Sequence, residues 1–274
     1  MTATQAEKAL RFRALHEASA VFVMPNPWDA GSARILAALG FPALATSSAA
    51  CANTFGRRDG RITREEALAH ARAIVNATDL PVAADLEKGF GDDPATVAET
   101  VRLAAAAGLV GGSIEDATGD AQHPLFDRGQ ATERVAAAVA AARALPFPFT
   151  LTARAENFTR GHPDLDDTIA RLQAFEKAGA DALFAPGLPD LDAVRAVCAA
   201  VAKPVNFMAG VKGKSFTVAA LAQAGVKRIS VGPTFYRAAM GGLVSAAREV
   251  RNGGTFGYAD ALMTTAEFNQ QMAD

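Results

Sequence analysis

Short apolar runs alternate with longer Ala-rich stretches of helical period along most of the chain. Residues 21–24 read as a strand, and the spacing after them predicts a helix over 31–39 that stops at Gly40. The unit then repeats as strand 43–48 with helix 64–76, strand 81–87 with helix 94–107, and strand 112–116 with helix 132–145. Strand 149–155 precedes helix 166–178, strand 181–185 precedes helix 191–201, and strand 204–208 precedes helix 217–224. Strand 228–231 and helix 235–250 complete an eighth unit, and 258–274 reads as one more polar helix. Strands alternating with helices of this length imply βαβ units and parallel pairing, and eight of them predict an α/β fold of the closed (β/α)8 TIM barrel type, as a single domain over 1–274. An open doubly wound sheet is the competing architecture, but no G-x-G-x-x-G follows a strand.

Composition narrows the function. The chain is 50% hydrophobic and 20% charged with formal net charge -2, and no Lys/Arg block offers a surface for nucleic acid or an anionic membrane, so neither is expected as a partner. The first thirteen residues are polar where a signal peptide needs an apolar core, and no run approaches about 18 apolar residues, so a cytoplasmic location is expected. Two cysteines exclude a disulfide framework, and Cys51 and Cys198 read as small buried hydrophobes.

In such a barrel the chemistry sits at the C-terminal ends of the strands. Alternation puts Asp85 and Glu87 on one side of strand three, the next strand adds Glu115, and the 56–61 loop adds Asp59. Acids that close repel one another unless a cation lies among them, and an all-oxygen set favours Mg2+, with Mn2+ second. The competing reading makes single acids of this kind helix caps or plain turns. Arg154 and Glu156 share a face at the end of strand five, where a guanidinium suits a bidentate grip on a carboxylate or phosphate; a structural ion pair is the alternative. The small-residue run 45–50 lets a ligand approach backbone amides around Ser47, Ser48 and Ala49. His123 is the one histidine in a loop that could gate the mouth, as an acid/base or simply as an exposed residue; Asn206 lies on strand seven with its role open.

These residues also fall into ordered motifs: Trp28-Asp29-Ala30-Gly31-Ser32-Ala33, Ser47-Ser48, 56–63, Asp85-Leu86-Glu87-Lys88-Gly89-Phe90-Gly91, Ile114-Glu115-Asp116, Ala153-Arg154-Ala155-Glu156 and Gly179-Ala180-Asp181-Ala182. In that order they resemble the isocitrate lyase/phosphoenolpyruvate mutase superfamily over nearly the whole chain. The resemblance implies a barrel whose C-terminal helices, here 235–274, swap onto a partner subunit to give homodimers or homotetramers, and a Mg2+ at the mouth. By that resemblance Asp85 ligates the metal directly and Asp59, Glu87 and Glu115 hold its waters. A small 2-oxo or 2-hydroxy carboxylate chelates the metal and is held by Arg154 and the amides around Ser47, Ser48 and Ala49; Trp28, Glu156 and Asn206 are further candidates for binding it. The shared chemistry is an enolate formed by breaking a bond next to a 2-oxo group, with Arg154, Glu115 and His123 as the catalytic candidates.

The departures matter as much. Lyases of the superfamily carry a Lys-Lys/Arg-Cys-Gly-His loop after strand four, whereas this chain reads Ala117-Thr118-Gly119-Asp120-Ala121-Gln122-His123-Pro124. Phosphonate-cleaving members carry Lys and Asn where Ala121 and His123 stand, and Pro186 replaces the usual Glu or His after strand six. A carbon-carbon lyase or decarboxylase acting on a small di- or tricarboxylate leads, ahead of phosphonate hydrolase or mutase chemistry and of a 2-oxo-acid binding protein with little catalysis.

Overall fold

Strand segments of two to five residues carry apolar side chains outward against helices and small or polar ones inward, which is the pattern a barrel wall demands. The computed structural model describes residues 3–214 and 216–272; residues 1, 2, 215, 273 and 274 of the expected 1–274 domain lie outside them. In chain order the elements are α1 (Gln5–Glu17), β1 (Phe22–Met24), α2 (Ala30–Ala38), β2 (Leu44–Ala45), α3 (Ser48–Thr54), α4 (Arg64–Asn76), β3 (Val82–Asp85), α5 (Pro94–Ala106) and β4 (Gly111–Glu115). They continue as α6 (Arg128–Arg143), β5 (Thr150–Arg154), a 3-10 turn Asn157–Thr159, α7 (Leu165–Lys177), β6 (Ala182–Phe184), α8 (Leu191–Ala200), β7 (Val205–Met208), α9 (Val218–Gln223) and β8 (Arg228–Ser230). After β8 come α10 (Thr234–Gly253), a 3-10 turn Gly257–Ala261 and α11 (Thr265–Gln271).

All pairings are parallel in the order β1-β8-β7-β6-β5-β4-β3-β2, the expected (β/α)8 barrel. The seam between β1 and β2 is narrow. There the Ala45 amide donates to the Pro25 carbonyl at 3.0 Å, and the side chain of Asn26 does the remaining stitching. Its Nδ2 donates to the Thr46 carbonyl at 2.8 Å, and its Oδ1 accepts from the amides of Val231 and Gly232 at 2.9 and 2.8 Å. One buried amide thus joins the ends of β1, β2 and β8.

Three stretches differ from the expected pattern. The opening segment, read only as polar, forms α1 behind a Thr4/Glu7 capping box. Its Ala9, Phe12 and His16, spaced to share one face, close the base of the barrel against Phe22, Met24, Ala43, Ala45, Ala83 and Val110. Gly111 makes this possible, because a Cβ there would lie 2.8 Å from Phe12 Cε1. The second strand is shorter than 43–48, because Ser47 leaves the sheet to cap α3. The tail is a 3-10 turn followed by α11, which returns to α2 of its own chain, where Arg34 Nη1 donates to the Met272 carbonyl at 2.9 Å. By contrast α10 buries none of its residues and exposes Leu243 and Val244.

Replacing Asn26 with Ala strands the Thr46 carbonyl and two amides at the seam. We expect a loss of about 2–4 kcal/mol in unfolding free energy, read by urea denaturation; an unchanged midpoint would show that the seam does not depend on this side chain.

Candidate active site

The strand ends open into a cavity of about 290 Å³ that reaches down into the barrel. Ser47, Ser48, Ala49, Asp59, Asp85, Arg154, Glu156 and Asn206 all line it. Glu87 and Glu115 stand behind that lining. Trp28 and His123 lie outside it. Trp28 meets Tyr236 edge-on at 5.6 Å between ring centroids and accepts a bond from His70 at its carbonyl. The His123 side chain is 81% exposed and bonds at 3.4 Å to Asp120 of its own loop, which is held by the Ala117 and Leu125 bridge and by Lys88 Nζ donating to the Thr118 carbonyl at 2.6 Å.

The β3 end shows why the alternation argument fails for Glu87 although its neighbourhood is as expected. β3 stops at Asp85, the Gly89 amide turns back to the Leu86 carbonyl at 2.8 Å, and Glu87 and Phe90 take φ of 49° and 58°, left-handed values that side chains resist. Arg134 of α6, 1% exposed, holds this turn by donating to the carbonyls of Lys88, Gly91 and Asp92 while stacking on Phe126. The Glu87 amide donates to Asp85 Oδ1 at 3.2 Å, and Glu87 Oε1 is buried with no partner. Burial, then Asp85 and Asp59, push the Glu87 carboxyl up to about 7. Asp59, on the exposed 56–61 loop with its carboxyl on the cavity, is raised by desolvation and then by Asp85, against a bond from Ser48.

Arg154 is the knot of the site. Its guanidinium reaches Asp85 Oδ1 at 2.9 Å, Glu115 Oε2 at 3.2 Å and Glu156 Oε1 at 2.7 Å, with its charge 5.1 Å from the Phe184 ring centroid. Burial alone would lower it, but Glu156, Asp85 and Glu115 hold it well above its ordinary value. Arg160, from the loop after β5, meets Glu115 Oε1 at 3.1 Å. Burial raises the Glu115 carboxyl, and both guanidiniums oppose that rise. Glu156 has both oxygens occupied, by Arg154 and by the Thr159 hydroxyl. None of the acids serves as a helix cap; that duty falls to residues such as Asp29, Asp93 and Asp127.

Five carboxylates therefore face two guanidiniums, yet among the described residues no three His, Cys, Asp or Glu side chains close into a direct metal cage. An ion that keeps most of its water suits such a set.

A model of the phosphoenolpyruvate phosphomutase family matches residues 12–251. The chain belongs to the phosphoenolpyruvate phosphomutase family. It is thereby an enzyme of the phosphoenolpyruvate mutase/isocitrate lyase superfamily. An uncharacterized protein of Mycobacterium tuberculosis (strain ATCC 25618 / H37Rv) is 33% identical to it over 246 residues, 89% of this chain and 90% of its own. The oxaloacetate decarboxylase of Rhodopseudomonas palustris (strain TIE-1) is 33% identical over 200 residues, 70% of this chain and 68% of its own. A crystal structure from Burkholderia cenocepacia J2315, provisionally named a lyase/mutase, matches with a TM-score of 0.96 and 55% identity, covering 98% of this chain and 97% of its own.

Within this family frame, the sequence pattern passed over Asn26, Thr159, Arg160 and Arg228, all of which line the cavity or its approach. Only Arg228 left a signal, as a charge alternating with Ile229 inside a strand. Neither thiol is poised for chemistry: burial pushes Cys51 up to about 12 and Cys198 up to about 11.

The Glu87 carboxyl ionises near 4.5 unfolded and near 7 folded, so the fold holds a proton that the unfolded chain lacks between those values. Stability from this group is full below pH 4.5 and is lost as pH rises through 7. With EDTA present, the fall in Tm from pH 5 to 7.5 should be greater in the wild type than in Glu87→Gln by roughly a few degrees; parallel curves would refute this assignment.

Proposed function

We propose that this enzyme is a Mg2+-dependent decarboxylase of a small 2-oxo dicarboxylate of the oxaloacetate type, with Mn2+ as a competent substitute. The observation that carries the reading is the surplus of carboxylates around Arg154, including the partnerless Glu87 oxygen, at the mouth of a cavity sized for a short acid. Asp85 would hold the ion directly, and Asp59, Glu87 and Glu115 would hold its waters. When bound, the ion supplies positive charge against the negative charge that develops on the 2-oxo oxygen.

The chain's own groups bind and orient. With Asp85 holding a cation, the Arg154 Nη1 donor now spent on that acid would be free for a substrate carboxylate, while Glu156 keeps the guanidinium plane fixed through Nε. Ser48 and Ala49 line the same cavity, and their amides would receive the same end of the substrate; the Ser48 amide donates to Asp85 Oδ2 at 3.4 Å. Decarboxylation asks for no general base, since the C–C electron pair passes into the 2-oxo group as carbon dioxide leaves, and water returns the proton to carbon. Cleavage of a 2-hydroxy acid would in addition need a base on the hydroxyl, a role for which the raised carboxyls of Asp59 and Glu87 are the nearest groups. Decarboxylation makes the smaller demand on the site, and His123, which does not line the cavity, stays outside the reacting set.

The same proposal includes a homodimer or homotetramer built through α10, whose exposed Leu243 and Val244 are followed by exposed Phe256, Leu262, Met263 and Phe268. A cytoplasmic location goes with it and rests on the two free cysteines.

Pyruvate release from oxaloacetate should depend on Mg2+, stop with EDTA and exceed metal-ion background. Asp85→Ala and Arg154→Met should each lower kcat/KM by about 10²–10³-fold. Turnover unaffected by EDTA and by both variants would sink the proposal. In solution, Leu243→Glu with Val244→Glu should reduce the mass seen by light scattering to that of one chain, and an unaltered mass would place the interface elsewhere.

A further inference from the structure

Beneath the acidic mouth lies a cation that the proposed reaction does not use. In β8, Ile229 packs outward in the core between sheet and helices, while Arg228 and Ser230 line the cavity. Arg228 is 4% exposed, and among the described residues no carboxylate forms an ion pair with it. Its hydrogen-bond partners are all neutral. Nε donates to Asn206 Oδ1 at 2.9 Å, Nη2 donates to Thr152 Oγ1 at 3.0 Å, and Nη1 meets His16 Nε2 at 3.1 Å.

The imidazole is uncharged here. His16 Nδ1 lies 2.8 Å from the Phe12 carbonyl and must donate to it, which leaves Nε2 as the acceptor for Arg228. Burial, and after it Arg228, drives His16 down to about 3, so it carries no charge at neutral pH. A guanidinium has five N–H groups; three meet neutral acceptors and two remain. Burial lowers Arg228 to about 9, which still leaves it charged at pH 7.

A buried charge is ordinarily paired, because leaving it alone in a low dielectric is expensive. The cavity reaches this cation. Arg228 lines it together with the small side chains of Ala45, Ala83, Thr152 and Ser230. With one cation and no second one beside it, the floor matches a single negative charge.

We propose that Arg228 heads a monoanion subsite at the floor of the cavity, one strand layer below the reaction site, which takes a carboxylate or a halide. The occupant has two sources of the same chemistry: the second carboxylate of the substrate, or a free monoanion resident as counter-charge. The subsite itself does not depend on the decarboxylase reading, because its primary tests use no turnover.

The test begins with full-length protein in EDTA at pH 7, titrated with sodium chloride, with Arg228→Met titrated in parallel as the control for ionic strength. Chloride should raise the wild-type Tm by about 2–4 °C once it is several-fold above its Kd, and should leave Arg228→Met unmoved. A wild-type Tm that chloride does not move, or an equal rise in Arg228→Met, would overturn the proposal. Wild-type crystals soaked in sodium bromide provide a measurement independent of any variant. An anomalous peak within hydrogen-bonding distance of the Arg228 guanidinium supports the subsite, and its absence overturns it.

Kinetics then separate the sources. Chloride that raises KM for oxaloacetate without changing kcat, an effect lost in Arg228→Met, assigns the floor to the substrate's second carboxylate. A KM indifferent to chloride beside a positive melting shift assigns it to a resident anion. A protein inactive toward oxaloacetate would remove the decarboxylase reading and leave the melting and diffraction results to decide the subsite.

Discussion

The rest of the site depends on a charge imbalance gathered around one guanidinium. Arg154 engages Asp85, Glu115 and Glu156, each brought by a different segment: the end of β3, the end of β4 and the turn after β5. Carboxylates so placed would drive one another apart or protonate if the arginine were absent. The guanidinium holds the three segments at one register, and its own burial is tolerated because it is surrounded by acids. Asp59 and Glu87 lie just beyond its reach and remain raised, which makes that edge of the cluster the natural seat for a further positive charge.

Much of the fold was legible because barrel walls obey a simple rule. Each strand, covered outside by helices and packed inside against the barrel interior, reads as a short apolar run, and several of the covering helices show a 3.6-residue period closed by glycine, as Gly108 and Gly225 do behind α5 and α9. The rule fails where tertiary contacts outrank pattern. α1 buries only Ala9, Phe12 and His16, too few to stand out among its charges, and its helix is secured by an end cap and by Phe12 entering the barrel base. The second strand ends early because the Ser47 hydroxyl takes a backbone amide of α3, an alternative that serine offers to any sheet.

The site was legible to a lesser degree. Acids at strand ends announce themselves, since a charged residue after an apolar run has few other reasons to be there, and Asp85, Glu115, Arg154 and Glu156 were found this way. Glu87 was found for the wrong geometric reason: its backbone leaves the strand and is bent into place by a distant arginine, a feature no local period encodes. Arg160 and Asn26 lie in loops, where spacing carries no information about direction. Glu156 shares a face with Arg154 and is its ion-pair partner, the alternative that the pattern offered for this pair.

The stitch made by Asn26 has a consequence for how the chain is born. Its acceptor groups and donors come from residue 26, from Thr46, and from Val231 and Gly232, more than two hundred positions later. β1 pairs only with β8, so during synthesis neither that pairing nor the Asn26 stitch can form until the last strand has left the ribosome. Such a delayed, long-range closure is entropically costly and slow. The nascent chain must therefore keep β1 from pairing elsewhere, and the brevity of β1 and β2, three and two residues, leaves little edge for a stray strand to find.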